Sequence, residues 1–264
     1  MTGPLTEEPV VDVVILTWND GELLGRAVAS VIAGQEVAIR LFVVDNGSDP
    51  PASVVDDPRI VLDRSPANLG VAGGRNRGIG LGQAPFVLLL DSDAELVPGS
   101  LSALLAPLLA DTGIGLSAPV FVDQEPSASA GRAPTLARKA ARLLGIADTY
   151  ASATDPLGPW WEVEVAIGAC QLFRREAYER VSGIDEAYFY GPEDVDFCMR
   201  VGAAGWTVVQ VADAPVIHPA RRRHRQVFTK AGARHAWAVT RFLWRHRRLG
   251  RRRAPVAPVR APKA

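Results

Sequence analysis

Val11 to Thr17 is a nearly continuous apolar, β-branched run, and it sets the strongest limit on the fold. A strand apolar on both faces has to be covered on both, as in the parallel sheets of layered α/β proteins. The pattern then alternates. Gly21 to Ala33 places Leu23, Leu24, Ala27, Val28, Val31 and Ile32 at helical spacing, and Ile39 to Val44 reads as a second buried strand. Ile60 to Leu62 is a short third strand, Val71 to Leu81 a helix in spite of its glycines, and Phe86 to Leu90 a fourth strand. Pro98 stands where a first helical turn accepts proline, opening a helix to about Ala110, with a strand at Gly115 to Val122. This alternation predicts an α/β domain with a largely parallel sheet.

The regularity fades over residues 123–159, rich in Ala, Ser, Pro and Gly, with one basic amphipathic piece at Leu136 to Leu144. A long irregular stretch in a compact domain is usually functional or mobile, so acceptor choice is expected there. Order resumes with Glu162 to Ile167 as a strand and Arg175 to Val181 as a helix. Glu193 to Ala204 follows as a helix, Thr207 to Val211 as a strand, and Phe228 to Arg248 as a final helix.

Composition excludes several classes. The acidic, Pro-bearing start lacks the basic and apolar segments of a secretory signal, and no apolar run approaches the ~18 residues of a membrane span. Cytoplasmic residence is the expectation. Cys170 and Cys198 give no disulfide framework and no four-ligand metal site, so buried free thiols are expected. The net charge of zero hides an asymmetry: residues 214–264 carry 15 Lys/Arg and no acid, leaving all 29 Asp/Glu in residues 1–213. A basic end of this kind seeks an anionic partner.

Three strands end in polar residues: Thr17-Trp18-Asn19-Asp20, Asp45-Asn46-Gly47-Ser48-Asp49 and Asp91-Ser92-Asp93. Ligands of open α/β sheets bind at the carboxyl ends of strands, so the three ends are expected to share one cleft. Alternate residues of an extended segment point the same way, which aims Asp91 and Asp93 together. Mg²⁺ takes one or two carboxylates plus substrate phosphates, and the pair suits a metal clamp on a diphosphate. Just upstream, Asn68-Leu69-Gly70 and Gly73-Gly74-Arg75-Asn76-Arg77 open a helix; glycine allows close backbone approach and a helix start favours anions. Neither the dinucleotide fingerprint nor a Walker loop is present. Farther on, Tyr188-Phe189-Tyr190-Gly191-Pro192 leads into Glu193, Asp194 and Asp196. Acids there complement a helix dipole, and equally offer a general base beside an aromatic sugar platform. His218 ends the run Pro215-Val216-Ile217 and is a candidate metal ligand.

In order, these blocks resemble family 2 glycosyltransferases of the GT-A fold, particularly bacterial rhamnosyltransferase-like members. Gly168-Ala169-Cys170, Phe173-Arg174-Arg175 and Gly183-Ile184-Asp185-Glu186 complete a match over about residues 10–220. The resemblance implies a mixed, mostly parallel sheet flanked by helices. It implies a nucleotide-binding half at 10–122 and an acceptor half at 123–220, after a tail at 1–9. A basic helical segment at 221–250 and a disordered tail at 251–264 are expected to follow. It implies further that Asp45 accepts the imide N–H of uracil or thymine. Thr17, Asn19, Asn68, Gly74, Arg75 and Asp91 would line the nucleotide and diphosphate. Asp93 and His218 would hold Mg²⁺ or Mn²⁺. Asp194 would be the catalytic base, supported by Glu193 and Asp196. The reaction implied is inverting transfer from a UDP- or dTDP-sugar to a hydroxyl of a glycan, lipid-linked or small-molecule acceptor.

A haloacid-type phosphatase would want Thr or Val where Glu95 stands, and a nucleotidyltransferase would want a Gly-rich loop in place of Trp18-Asn19-Asp20. The rival from another class is a non-catalytic nucleotide-sugar- or glycan-binding protein, which would be expected to lose Asp93 or Asp194. Nucleic-acid binding is not expected, since the C-terminal arginines lack a recognition motif. Phe242, Leu243 and Trp244 among Arg241, Arg245, Arg247 and Arg248 suit an interfacial helix, with peripheral contact at the inner face of a membrane.

Overall fold

In the computed structural model the apolar runs become one nine-stranded sheet, among the described residues 10–33, 36–122, 124–125, 128–133, 158–219 and 230–246. β1 (Val11–Thr17) pairs in parallel with β2 (Ile39–Asp45) and β4 (Phe86–Asp91), and β3 (Ile60–Arg64) extends the sheet beyond β2. Thr17 lies opposite Asp45 and Leu16 opposite Asp91, so these carboxyl ends finish at one level. Alternating side chains feed two cores. Val13 and Ile15 pack toward α1 (Gly21–Ile32) and α3 (Ser100–Ala110) on one face. Val14 packs on the other, toward α2 (Gly70–Ile79), α4 (Arg175–Arg180) and α5 (Glu193–Ala203). The layered, mixed and mostly parallel α/β architecture matches the sequence expectation.

The chain departs from the expected elements in four places, three of them in the second half. β10 (Cys170–Arg174), where no strand was expected, runs antiparallel between β4 and β6 (Ile114–Phe121) and joins the two parallel blocks. Its buried Gln171 is satisfied by donating to the Ala166 carbonyl at 2.8 Å. The single strand expected at 162–167 is two. β8 (Trp160–Val163) pairs with β11 (Thr207–Ile217), while β9 (Val165–Ala166) pairs with β7 (Ala130–Gly131) in a separate ribbon. The chain changes sheets at Glu164, whose carboxylate accepts the Ala133 amide at 2.7 Å. β11 runs past Val211 to Ile217 because a register shift between Gln210 and Pro215 accommodates the proline. α3 starts at Ser100 rather than at Pro98, since Gly99 takes a left-handed φ of 86° before it. β5 (Glu95–Leu96) closes the edge against β11.

Cys170 and Cys198 are buried free thiols, as expected, and burial pushes Cys198 up to about 12. α6 (Lys230–Arg245) docks through Ala238 and Phe242 onto Tyr188. No helix among the described residues is long and apolar enough to cross a membrane. The tails at 1–9 and 251–264 and the basic piece Leu136 to Leu144 lie outside the described residues.

Candidate active site

β4 delivers Asp91 at its end, and the turn after it delivers Asp93. Ser92 between them points elsewhere, donating its hydroxyl to Asp20 at 2.8 Å. β11 brings His218 to the same place from the far half, with Nε2 3.6 Å from Asp93. One ligand atom from each of Asp91, Asp93 and His218 lies within 4.8 Å of the others, a spread suited to one cation. The imidazole packs against the Phe121 ring, 4.9 Å away, and Gln124 holds the backbone there by donating to the His218 carbonyl. Burial lowers the proton affinity of His218, but the Asp93 hydrogen bond and the Asp91 charge outweigh it and leave its pKa raised. Burial raises Asp91, and Arg75 offsets only part of that.

The ends of β1 and β2 form the second wall. Asp45 is buried, and its two oxygens accept the Ser48 and Ala52 amides, each at 2.9 Å. Burial pushes its pKa up, but the Ser48 and Ala52 hydrogen bonds, with Arg64, hold it below the usual carboxylate range. Asn19, at φ 60°, donates its N–H to the Ser48 hydroxyl and accepts the Asp49 amide. Asn68 accepts from the Gly70 amide and from Asn46. Asn46 belongs to the polar block after β2 but was not singled out from sequence. Buried, it ties β2 to the start of α2 through Asn68, Leu69 and Gly70. The Thr17 hydroxyl is buried without a hydrogen-bond partner. Thr17, Asn19, Asp45 and Asn68 therefore do come together, largely bound to one another's loops.

Gly74 and Arg75 are placed differently from the expected lining of the diphosphate. Both are buried inside α2. A Cβ on Gly74 would meet Leu16 at 2.4 Å, so this glycine lets α2 lie close on β1. The Arg75 guanidinium, 4% exposed, donates to Asp91 at 2.7 Å and to the Gly168 carbonyl at 2.8 Å, and reaches Glu193 at 3.4 Å. The amide of Gly168 in turn donates to Asp194 at 2.8 Å. A chain of contacts thus runs from Asp91 through Arg75 and the Gly168 peptide to Asp194. A Cβ on Gly168 would meet the Arg75 guanidinium at 2.5 Å, so any other residue there would displace the arginine from its present contacts. The role of Gly168 follows from long-range packing, and only its place in the Gly168-Ala169-Cys170 block hinted at it.

Glu193 is buried behind this chain, and one of its oxygens has no hydrogen-bond partner. Burial first and Asp194 second raise it from 4.5 to about 7, against the pull of Arg75. A carboxyl with a raised folded pKa stabilises the fold below its unfolded pKa and loses that contribution as pH rises through about 7. Glu193→Gln, which keeps the shape of the protonated acid, is therefore expected to gain a few degrees in Tm over the parent at pH 8 and little at pH 5. Parallel melting curves across that range would overturn this. Asp196, expected beside the base, lies on the opposite side of α5's first turn as a fully buried anchor. It accepts from Arg200 at 2.6 Å and contacts His246 Nε2 at 2.7 Å.

Residues 12–182 match the profile of the family described as Glycosyl transferase family 2. The chain belongs to this family. It is also 31% identical over 244 residues to the N-acetylglucosaminyl-diphospho-decaprenol L-rhamnosyltransferase of Mycobacterium tuberculosis, covering 79% of this chain and 76% of the relative. Two solved structures share the GT-A fold. GalNAc-T7 with UDP, GalNAc and Mn²⁺ aligns at TM-score 0.64 and 17% identity, over 84% of this chain and 46% of that one. The mannosyltransferase of Pyrobaculum calidifontis with GDP-Man and Mn²⁺ aligns at 0.62 and 18% identity, over 95% and 67%. This family 2 member is a rhamnosyltransferase-like glycosyltransferase, with its acidic cluster at the strand ends of a GT-A sheet.

Proposed function

We propose that this glycosyltransferase moves a sugar from a UDP- or dTDP-sugar to a hydroxyl of a lipid-linked glycan, with inversion at the anomeric carbon. The observation that carries the reading is the convergence of Asp91, Asp93 and His218, with Asp194 tied to the same cluster through Gly168 and Arg75. Two carboxylates and an imidazole fit Mg²⁺ or Mn²⁺, with Asp93 and His218 as the principal ligands and Asp91 beside them. Bound there, the cation would offset the charge growing on the leaving nucleoside diphosphate. Asp45 reads the pyrimidine: each carboxylate oxygen has a second lone pair beyond the one taken by its loop amide, enough for the imide N–H of uracil or thymine. Thr17, with its unpartnered hydroxyl, together with Asn19 and Asn68, shapes that end of the cleft.

Asp194 takes the acceptor proton as the hydroxyl oxygen attacks the anomeric carbon. The bond from that carbon to the diphosphate oxygen breaks on the opposite face, and its electron pair leaves with the diphosphate. Arg75 and Glu193 orient rather than touch substrate, since both are buried. The relative acting on a decaprenol-linked sugar supports a lipid-linked acceptor and a rhamnosyl donor. The reading is tested by thermal stabilisation with UDP, dTDP, GDP and CDP, each with and without Mn²⁺. Metal-dependent shifts confined to UDP and dTDP are expected; an equal response to all four would remove Asp45 as the base reader.

The acceptor and the basic end together favour peripheral contact at the cytoplasmic face of a membrane. Phe242, assigned from sequence to the lipid, is turned inward onto Tyr188 instead, leaving Trp237 and Trp244 on the exposed side of α6 at 54% and 67% exposure. Binding to anionic vesicles is expected at low salt and to weaken sharply near 1 M, where the screening length is about 3 Å. Equal binding to neutral vesicles would exclude the electrostatic part.

A further inference from the structure

The segment from Asp185 to Asp196 carries the exposed Phe189 and Tyr190 and ends in the first turn of α5, where Glu193 and Asp194 stand. Residues 185–192 form turns and bends without a strand or helix of their own. Such a segment keeps its place through tethers to neighbouring elements. Two tethers come from α2: the Val71 amide donates to the Phe189 carbonyl at 2.8 Å, and the Asn76 side chain donates to Glu186 at 2.9 Å. Further tethers come from α6 and from His246 just after it, and they fall at both ends of the segment. Arg241 and Arg245 reach the Asp185 carboxylate at 3.1 and 2.5 Å. His246 Nε2 lies 2.7 Å from Asp196, and Arg245 lies 3.8 Å from the same oxygen. Between these grips, Ala238 and Phe242 cover the fully buried Tyr188, and Arg241 stands 6.0 Å over its ring.

We infer that α6 and the turn after it clamp the segment 185–196: Arg241, Arg245 and His246 hold Asp185 and Asp196, and thereby position Asp194 and its flanking aromatics for transfer. Local charge balance does not require the distant partner. Arg200, one turn along α5, already pairs with Asp196 at 2.6 Å. The contact from His246 joins a residue 50 positions away, so what it adds is a fixed relation between α6 and the start of α5. The hydrogen bonds of His246 and Arg200 outweigh burial and hold Asp196 below the usual carboxylate range, consistent with an ionised anchor. Arg241, Arg245 and His246 are positioning residues, and none belongs to the metal cluster or the nucleotide wall.

The catalytic consequence rests on Asp194 as the base, whereas the clamp itself does not. The test compares the full chain with Arg241→Ala/Arg245→Ala/His246→Ala. Amide hydrogen exchange over 185–192 is expected to accelerate at least about tenfold, with Ile39–Asp45 and Phe86–Asp91 unchanged. UDP and dTDP affinity in Mn²⁺ should stay within about twofold, while dTDP release from dTDP-rhamnose falls about tenfold at unchanged KM for that donor. His246→Gln keeps a donor to Asp196 and should retain most of the protection; Asp185→Asn, a milder change, should loosen the loop if the triple variant fails to fold. Unchanged exchange over 185–192 in both Asp185→Asn and the triple variant overturns the clamp. Faster exchange with normal turnover overturns the positioning role, and a parallel loss of nucleotide affinity reduces the contact to fold stability. If Asp194→Asn turns over normally the base assignment falls, while the exchange result still decides the clamp.

Discussion

Asp194→Asn is expected to lower sugar transfer by about three orders of magnitude while leaving metal-dependent UDP or dTDP binding intact. General-base contributions of roughly 10²–10⁴-fold set that scale. The substitution is nearly isosteric, and the amide oxygen of Asn still accepts the Gly168 N–H that Asp194 accepts at 2.8 Å. What is removed is the capacity to take a proton, together with the second acceptor oxygen, which takes the Val195 amide at 2.8 Å. The nucleotide wall at Asp45 and the Asp91, Asp93 and His218 cluster do not include this side chain, so a loss confined to kcat is the expected signature. Glu193→Gln serves as the contrast. Glu193 is buried against Arg75, so its change should act on stability and orientation and leave most of the rate. A fall for Glu193→Gln as deep as for Asp194→Asn, or normal transfer by Asp194→Asn, would reverse the two roles.

The convergence of the strand ends was legible because each of them closes an apolar run. Thr17, Asp45 and Asp91 are where buried strands meet water, and parallel pairing brings such ends to one level. β10 was not legible. Its five residues include Gln171, and it is buried only because it is inserted antiparallel between strands distant in sequence. The glycines before Arg75 were readable as a special segment but not as to purpose. Close packing of Gly74 on Leu16 and Gly78 on Val14 gives the same letters as close approach to a phosphate. Arg75 beside them therefore looked like a diphosphate ligand, and its ties to Gly168 and Glu193 span separations of 93 and 118 residues that periodicity cannot show. The same limit applies to α6: spacing marks Phe242 as lying on an apolar face, and only the folded chain shows that this face meets Tyr188.

Asp93→Ala is expected to abolish the stabilisation that UDP or dTDP gives in the presence of Mn²⁺, without lowering the melting temperature of the free protein. A nucleotide at a hundred times its Kd adds about 2.7 kcal/mol to a fold. For a domain of this size each kcal/mol moves Tm by roughly 2–4 °C, so the wild type should shift by about 5–10 °C and the variant by almost nothing. Asp93 suits this test better than Asp91 because of what each carboxylate touches. Asp91 partners the buried Arg75 guanidinium at 2.7 Å, so Asp91→Ala leaves that charge short of a partner and should lower Tm even without ligand. Asp93 faces His218, whose own pKa it helps to raise, and removing it leaves a partly exposed imidazole free to lose its proton. Full metal-dependent stabilisation of Asp93→Ala would place the cation elsewhere. Loss in Asp93→Ala and in His218→Ala, with the unliganded melts unchanged, would leave the pair as the grip on the metal, with Asp91 shared between it and the arginine behind.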